Sequence, residues 1–253
     1  MSLPPPPQTA DPLARLCIAD NGTFWPWLKW PDFASRAAHR DALVMIPVTG
    51  FADAALGHPL DGEETVLLSV LKSASEHSAG DGPLLVLPPL RFLAGPGEYC
   101  AFAVPPPLAH ALIREVVESV TASGFRRIVL LNSSPWNESL IDVAARDLRL
   151  ALGVSLFCVN LSALGLDFHP FRSTSRRLVQ TLLTGLYGRE PKRSARGSFP
   201  GSFAREALPP VLAPWDNVDE SASRVPAILR TAAERLSSLL QEIRAHPLLP
   251  AAS

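Results

Sequence analysis

The chain has 253 residues, is 47% hydrophobic, and carries 23 Lys and Arg against 24 Asp and Glu, a net charge of −1. Such a balance excludes electrostatic capture of nucleic acid or of an anionic membrane as the main function, and the length suits one large core. No apolar run reaches the ~20 residues that cross a bilayer.

Residues 1–20 read as a Pro-rich tail without the basic and apolar blocks of a signal peptide, and 21–253 as a single domain. The three cysteines, Cys17, Cys100 and Cys158, are odd in number and far apart, which points to a reduced, cytoplasmic protein with buried thiols. Phe24, Trp25, Trp27 and Trp30 form a dense aromatic cluster that suits either core packing or a pocket or partner surface.

Ala42 to Val48 is a near-continuous apolar run, as expected of a strand buried on both faces of a parallel sheet. Glu63 to His77 places Val66, Leu67, Val70 and Leu71 on one helical stripe. Leu84 to Leu87 predicts a short strand ended by Pro88 and Pro89. Pro105 to Ser123 then predicts a helix with a buried stripe of Leu108, Ala111, Leu112, Val116 and Val120, stopped by Gly124.

Arg127 to Asn132 reads as a strand, Asn137 to Leu152 as a helix, and Val154 to Asn160 as a further strand. A helix follows from Ser173 to Tyr187. The span 188–220 is rich in Pro, Gly and Ser and reads as an irregular loop, and 224–245 as a C-terminal helix. The alternation predicts an α/β fold: a mainly parallel sheet with helices on both faces.

Five stretches, in order, resemble the creatininase family of metal-dependent amidohydrolases. Leu-Lys-Trp-Pro-Asp-Phe at 28–33 is similar to the family's Leu-x-Trp-x-Glu opening. Ile46 to Val48 is similar to its Leu-Pro-Val, and Gly57 to Leu60 to its His-Leu-Pro-Leu. Val86 to Leu90 with Glu98 to Phe102 resembles its Leu-Pro-Pro-Leu and Glu-His-x-x-Phe pair. Gly124 to Asn132 is close to its Gly-Phe-Arg-Arg-Ile-Val-x-x-Asn strand. The resemblance runs from Leu28 to Gly188 and implies the creatininase-type three-layer sandwich, zinc or manganese at the site, and assembly into homo-oligomers.

The departures fall on the implied metal ligands. Ala52, Asp53 and Ala54 stand where the family has Glu-x-His, and a methyl group has no electron pair to donate. Glu63 stands for the Asp ligand, one methylene longer. Asn132 to Asn137 replaces an Asn-Gly-His-Gly-Gly-Asn turn, so Ser134 takes the His position and Pro135 and Trp136 take the glycine positions. His169 to Arg172 matches His-Ala-Gly-Glu, keeping the His but placing Arg172 at the carboxylate. By resemblance, then, no metal is expected, and Arg172 would pair with Glu63 or Asp53 where an ion would have stood.

The candidate site is therefore His169, Ser134 and Asp53 as catalytic groups, with Glu63, Asn132, Ser133, Trp136, Asn137 and Arg172 lining the pocket. Ser133 and Ser134 are candidates for nucleophiles, for anion ligands, or for cap and turn residues, and no Gly-x-Ser-x-Gly elbow surrounds them. Arg189, Lys192, Arg193, Arg196 and Arg205 make a basic stretch that reads as a solvated loop or a contact arm rather than a nucleic-acid surface. The expected function is a catalytically degenerate binding or scaffolding subunit, as a homo-oligomer or with a related subunit. The alternatives are a hydrolase acting on C–N bonds through a rebuilt pocket, and a small-molecule sensor.

Overall fold

The computed structural model describes residues 24–27, 29–31, 35, 42–52, 59–77, 82–94, 100–101, 103–169, 173–187 and 218–248. Asp53, His58, Arg172, the N-terminal tail and the basic stretch lie outside them.

The chain forms strands β1 (Leu43–Thr49), β2 (Phe51–Ala52), β3 (Leu84–Val86), β4 (Leu90–Arg91), β5 (Leu93–Ala94), β6 (Cys100–Ala101), β7 (Ala103–Val104), β8 (Arg127–Asn132) and β9 (Ser155–Asn160). The helices are α1 (Gly62–His77), α2 (Pro106–Ala122), α3 (Glu138–Leu152), α4 (Ser173–Tyr187) and α5 (Val218–Ala245). The main sheet has the order β3-β1-β8-β9, all parallel, with β4 continuing beside the end of β1. Two-stranded pairs β2–β6 and β5–β7 stand at the edge of the site, too short for a period to reveal them in the sequence.

Alternation along the central strands builds two cores. Leu43 and Met45 of β1 with Val129 and Leu131 of β8 face α1, α4 and α5. Val44, Ile46 and Val48 with Ile128 and Leu130 face α2 and α3. Both faces of β1 and β8 are buried, which is why their sequences run apolar without alternation. The result is the expected three-layer α/β/α sandwich.

One helical stripe differs from the expectation. The buried residues of α2 are Ala109, Ile113, Val117 and Val120, whereas Leu108 is 57% exposed and Leu112 42% exposed. The two candidate stripes are adjacent and both apolar, and the packing of α2 against α3 selects the one a residue further on. Pro105 precedes the helix and Pro106 and Pro107 open it, where a missing N–H costs nothing. α3 ends at Gly153, whose φ of 60° is left-handed.

α5 begins at Val218 rather than 224 and continues through Pro226. It packs on α1 and α4 through Val225, Ala232, Ala233, Leu236, Leu240 and Ile243. Its far end is tied to the sheet by Arg127 Nη2 donating to His246 O at 3.0 Å and Arg244 Nη2 donating to Gly82 O at 3.2 Å. The aromatic cluster divides. Phe24 is buried beside Val86, and Trp25 packs at 5.2 Å on Phe125, while Trp30 is exposed.

Candidate functional site

In an open parallel sheet, ligands bind beyond the carboxyl ends of the strands. Here β1 and β8 end side by side at Thr49 and Asn132. Gly50 and the Ser133–Ser134 turn follow directly.

Asn132 shapes that turn. Its Oδ1 accepts from Ser134 N at 3.1 Å, and its Nδ2 donates to Ser134 O at 2.9 Å and to Asn160 Oδ1 at 2.8 Å. Asn137 is a strut rather than a pocket wall, since its Nδ2 donates to Phe92 O at 2.9 Å and its Oδ1 accepts from Ala94 N at 2.8 Å. With its side chain so occupied, it starts α3 without capping it.

Glu63 enters from the first turn of α1 and is 1% exposed. Gly50 N donates to its Oε2 at 3.2 Å. Burial pushes the carboxyl up to about 8, and the Ser134 hydroxyl and Gly50 N–H pull only part of the way back. Near neutral pH this residue is therefore mostly a neutral acid. Ser134 Oγ stands beside it but makes no hydrogen bond of ordinary length and angle, and the same holds for Ser133 Oγ; both residues are buried.

The neighbouring acid has a different fate. Glu64 accepts from Arg91 Nε and Nη2, both at 2.7 Å, and from Thr49 Oγ1 at 3.3 Å. This fork-shaped pair with Arg91 stands on the flank of the site. Tyr187, at the end of α4, donates to Asp61 Oδ1 at 2.6 Å and so ties α4 to the start of α1.

Trp136 packs against Leu93 and Ala52, and its ring stacks on His169 at 6.5 Å between centroids. His169 and Ser134 share no hydrogen bond, so the Ser–His pair of the hydrolase reading does not form. The structure brings Glu63, Ser133, Ser134 and Asn132 together at one end of the sheet and sets Trp136 and His169 beside one another. Asp53 and Arg172, and with them the expected pairing to Glu63, lie outside the described residues.

Sequence reasoning missed three participants: Gly50, Leu93 and the Glu64–Arg91 pair. The doubled acid at 63–64 was a signal that one of the two needs a partner, but nothing in the sequence connects it to Arg91, 27 positions away.

The described residues do not fit a metal pair. A divalent ion needs several anionic or imidazole donors, and no three His, Cys, Asp or Glu side chains converge among the described residues. Ala52 offers a methyl group, Ser134 a hydroxyl, and Glu63 a single carboxyl.

A family model described as creatinine amidohydrolase (Creatininase) matches residues 27–185. Among solved structures, a crystal structure of creatinine amidohydrolase (creatininase) is similar at 16% identity and a TM-score of 0.62, covering 89% of this chain and 99% of that one. A Bacteroides fragilis NCTC 9343 protein assigned as a creatinine amidohydrolase is similar at 16% identity and a TM-score of 0.64, covering 91% and 100%. A creatininase variant complexed with creatine is similar at 17% identity and a TM-score of 0.63, covering 89% and 100%. No curated protein sequence matches the chain. These low identities speak for the fold alone; with the family match over more than half its length, the chain belongs to the creatininase family.

Proposed function

We propose that this family member has given up metal-dependent amide hydrolysis and serves as a binding or scaffolding subunit, with a second copy or a related chain as partner. The observation that carries the reading is the donor set: among the described residues, no three His, Cys, Asp or Glu side chains converge where Glu63 meets Ser134. By the resemblance, Ala52 and Ser134 stand at two of the family's ligand positions, and a methyl group and a neutral hydroxyl are poor donors to zinc or manganese.

The hydrolase alternative has less support. Ser134 Oγ has no imidazole in hydrogen-bond contact to take its proton. His169 is instead stacked on Trp136.

The test is metal content together with turnover. Purified protein is equilibrated with zinc or manganese, desalted, and measured by ICP-MS, and creatinine is offered as substrate. The expected results are metal well below one ion per chain and no hydrolysis. One or more ions per chain, or creatinine turnover that EDTA abolishes, would overturn the reading.

A further inference from the structure

Two polar side chains of α4, one helical turn apart, are buried without a hydrogen-bond partner. Gln180 is 7% exposed and Thr184 2% exposed, and among the described residues nothing bonds to Gln180 Nε2 or to Thr184 Oγ1. The apolar stripe of the same helix, Val179, Leu182 and Leu183, faces the core. Buried amides and hydroxyls are nearly always satisfied, because a missing bond leaves the full cost of taking the group out of water.

Thr184 also forgoes the acceptor nearest to it. A threonine in a helix can donate to the carbonyl four residues back. Thr121 Oγ1 does so to Val117 O at 2.8 Å, and Thr231 Oγ1 to Ala227 O at 3.1 Å. Thr184 Oγ1 makes no such bond to Gln180 O. Its hydroxyl is left for something outside the backbone of its own helix.

Gln180, Thr184 and Tyr187 recur at the spacing of one helix face. Tyr187 Oη lies 2.6 Å from Asp61 Oδ1 and 3.0 Å from Thr65 Oγ1, where α1 begins. Leu183, beside Thr184, comes within 2.9 Å of the point where a Cβ on Gly62 would lie. The three polar residues are thus the margin of α4 on the side of α1, whose first turn carries Glu63. Side chains at i and i+4 leave the helix about 5–6 Å apart, a span that one water bridges with two bonds of ordinary length.

We propose that Gln180 and Thr184 hold an internal water molecule at the margin where α4 meets the start of α1. Water both accepts and donates, as this pair requires: the carboxamide N–H needs an acceptor, and the hydroxyl takes either role. Both side chains are uncharged, so water suits them better than an ion, which would need a counter-charge. A polar site of this kind keeps its water, whereas an apolar one stays dry. Metal content and turnover do not depend on this water, so it stands or falls apart from the subunit reading.

Magnetic relaxation dispersion of water 17O counts internal waters of long residence. Thr184→Val, which keeps the shape of threonine without its hydroxyl, is expected to hold one fewer than the parent protein. It should also lower the folding equilibrium constant about tenfold in urea titration. Gln180→Met is expected to do the same, and the two together to cost less than the sum, since either change alone releases the shared molecule.

Cross-relaxation between water and the Gln180 carboxamide protons is read on the parent chain and needs no variant to fold. Its absence would overturn the proposal. So would an unchanged water count in both variants, or a Thr184→Val protein as stable as its parent, the outcome for a hydroxyl with no partner to lose.

Discussion

Ser134 Oγ and Glu63 Oε2 both close on Gly50, each 2.8 Å from the point where a Cβ on that residue would lie. Leu93 Cδ2 is nearer still, at 2.4 Å. The close approach of three chain segments at the end of β1 thus depends on the absence of one side chain, and through the Gly50 N–H it also supplies Glu63's backbone hydrogen bond.

Gly50→Ala should therefore destabilise the fold by about 1–3 kcal/mol, the usual cost of forcing a methyl group into a packed interior. Urea unfolding measures this directly. A midpoint unchanged from the parent protein would show that the three segments are not held as close as described.

Glu63 predicts a pH dependence of stability. Its folded value is raised from 4.5 to about 8, so between those values the folded state holds a proton that the unfolded state has released. The contribution is present in full below about 4.5 and is lost as pH rises to about 8, at up to about 1.4 kcal/mol per pH unit. Glu63→Gln, neutral at every pH, should remove this slope. Melting both proteins from pH 5 to 9 gives the comparison, and parallel curves would refute the assignment.

The pair formed by Arg91 and Glu64 should be worth about 1 kcal/mol, modest because the arginine side chain is 37% exposed. Arg91→Ala should cost more than the pair itself contributes, since it leaves a largely buried carboxylate with only Thr49 beside it. A double-mutant cycle with Glu64→Gln separates the two quantities.

The exposed and buried stripes of α2 can be told apart by substitution. Ile113→Ala should cost about 2–4 kcal/mol and Leu112→Ala about 0.5 kcal/mol or less, although the residues adjoin. Equal losses would restore the stripe expected from sequence.

The long elements were legible because their period and end signals agree. Arg127–Asn132 and Ser173–Tyr187 match the sequence reading residue for residue, and α3 differs by one position. α2 was misjudged in rotation because both of its adjacent stripes are apolar, and only contact with α3 distinguishes them. At the site, Ala52 and Ser134 were readable as single positions at which the resemblance leads one to expect a metal ligand. The pairing of Glu64 with Arg91 was not, nor was the role of Asn137 as a strut between Phe92 and Ala94, since each depends on where distant segments meet.

By itself, then, the sequence determined the α/β class and the family, since these follow from local period and residue chemistry. Only the tertiary structure decided that Glu63 is a mostly neutral acid near pH 7 and Glu64 the partner of Arg91. Two adjacent carboxyls of identical chemistry part company because one is turned into a water-free pocket beside Ser134 and the other meets a guanidinium.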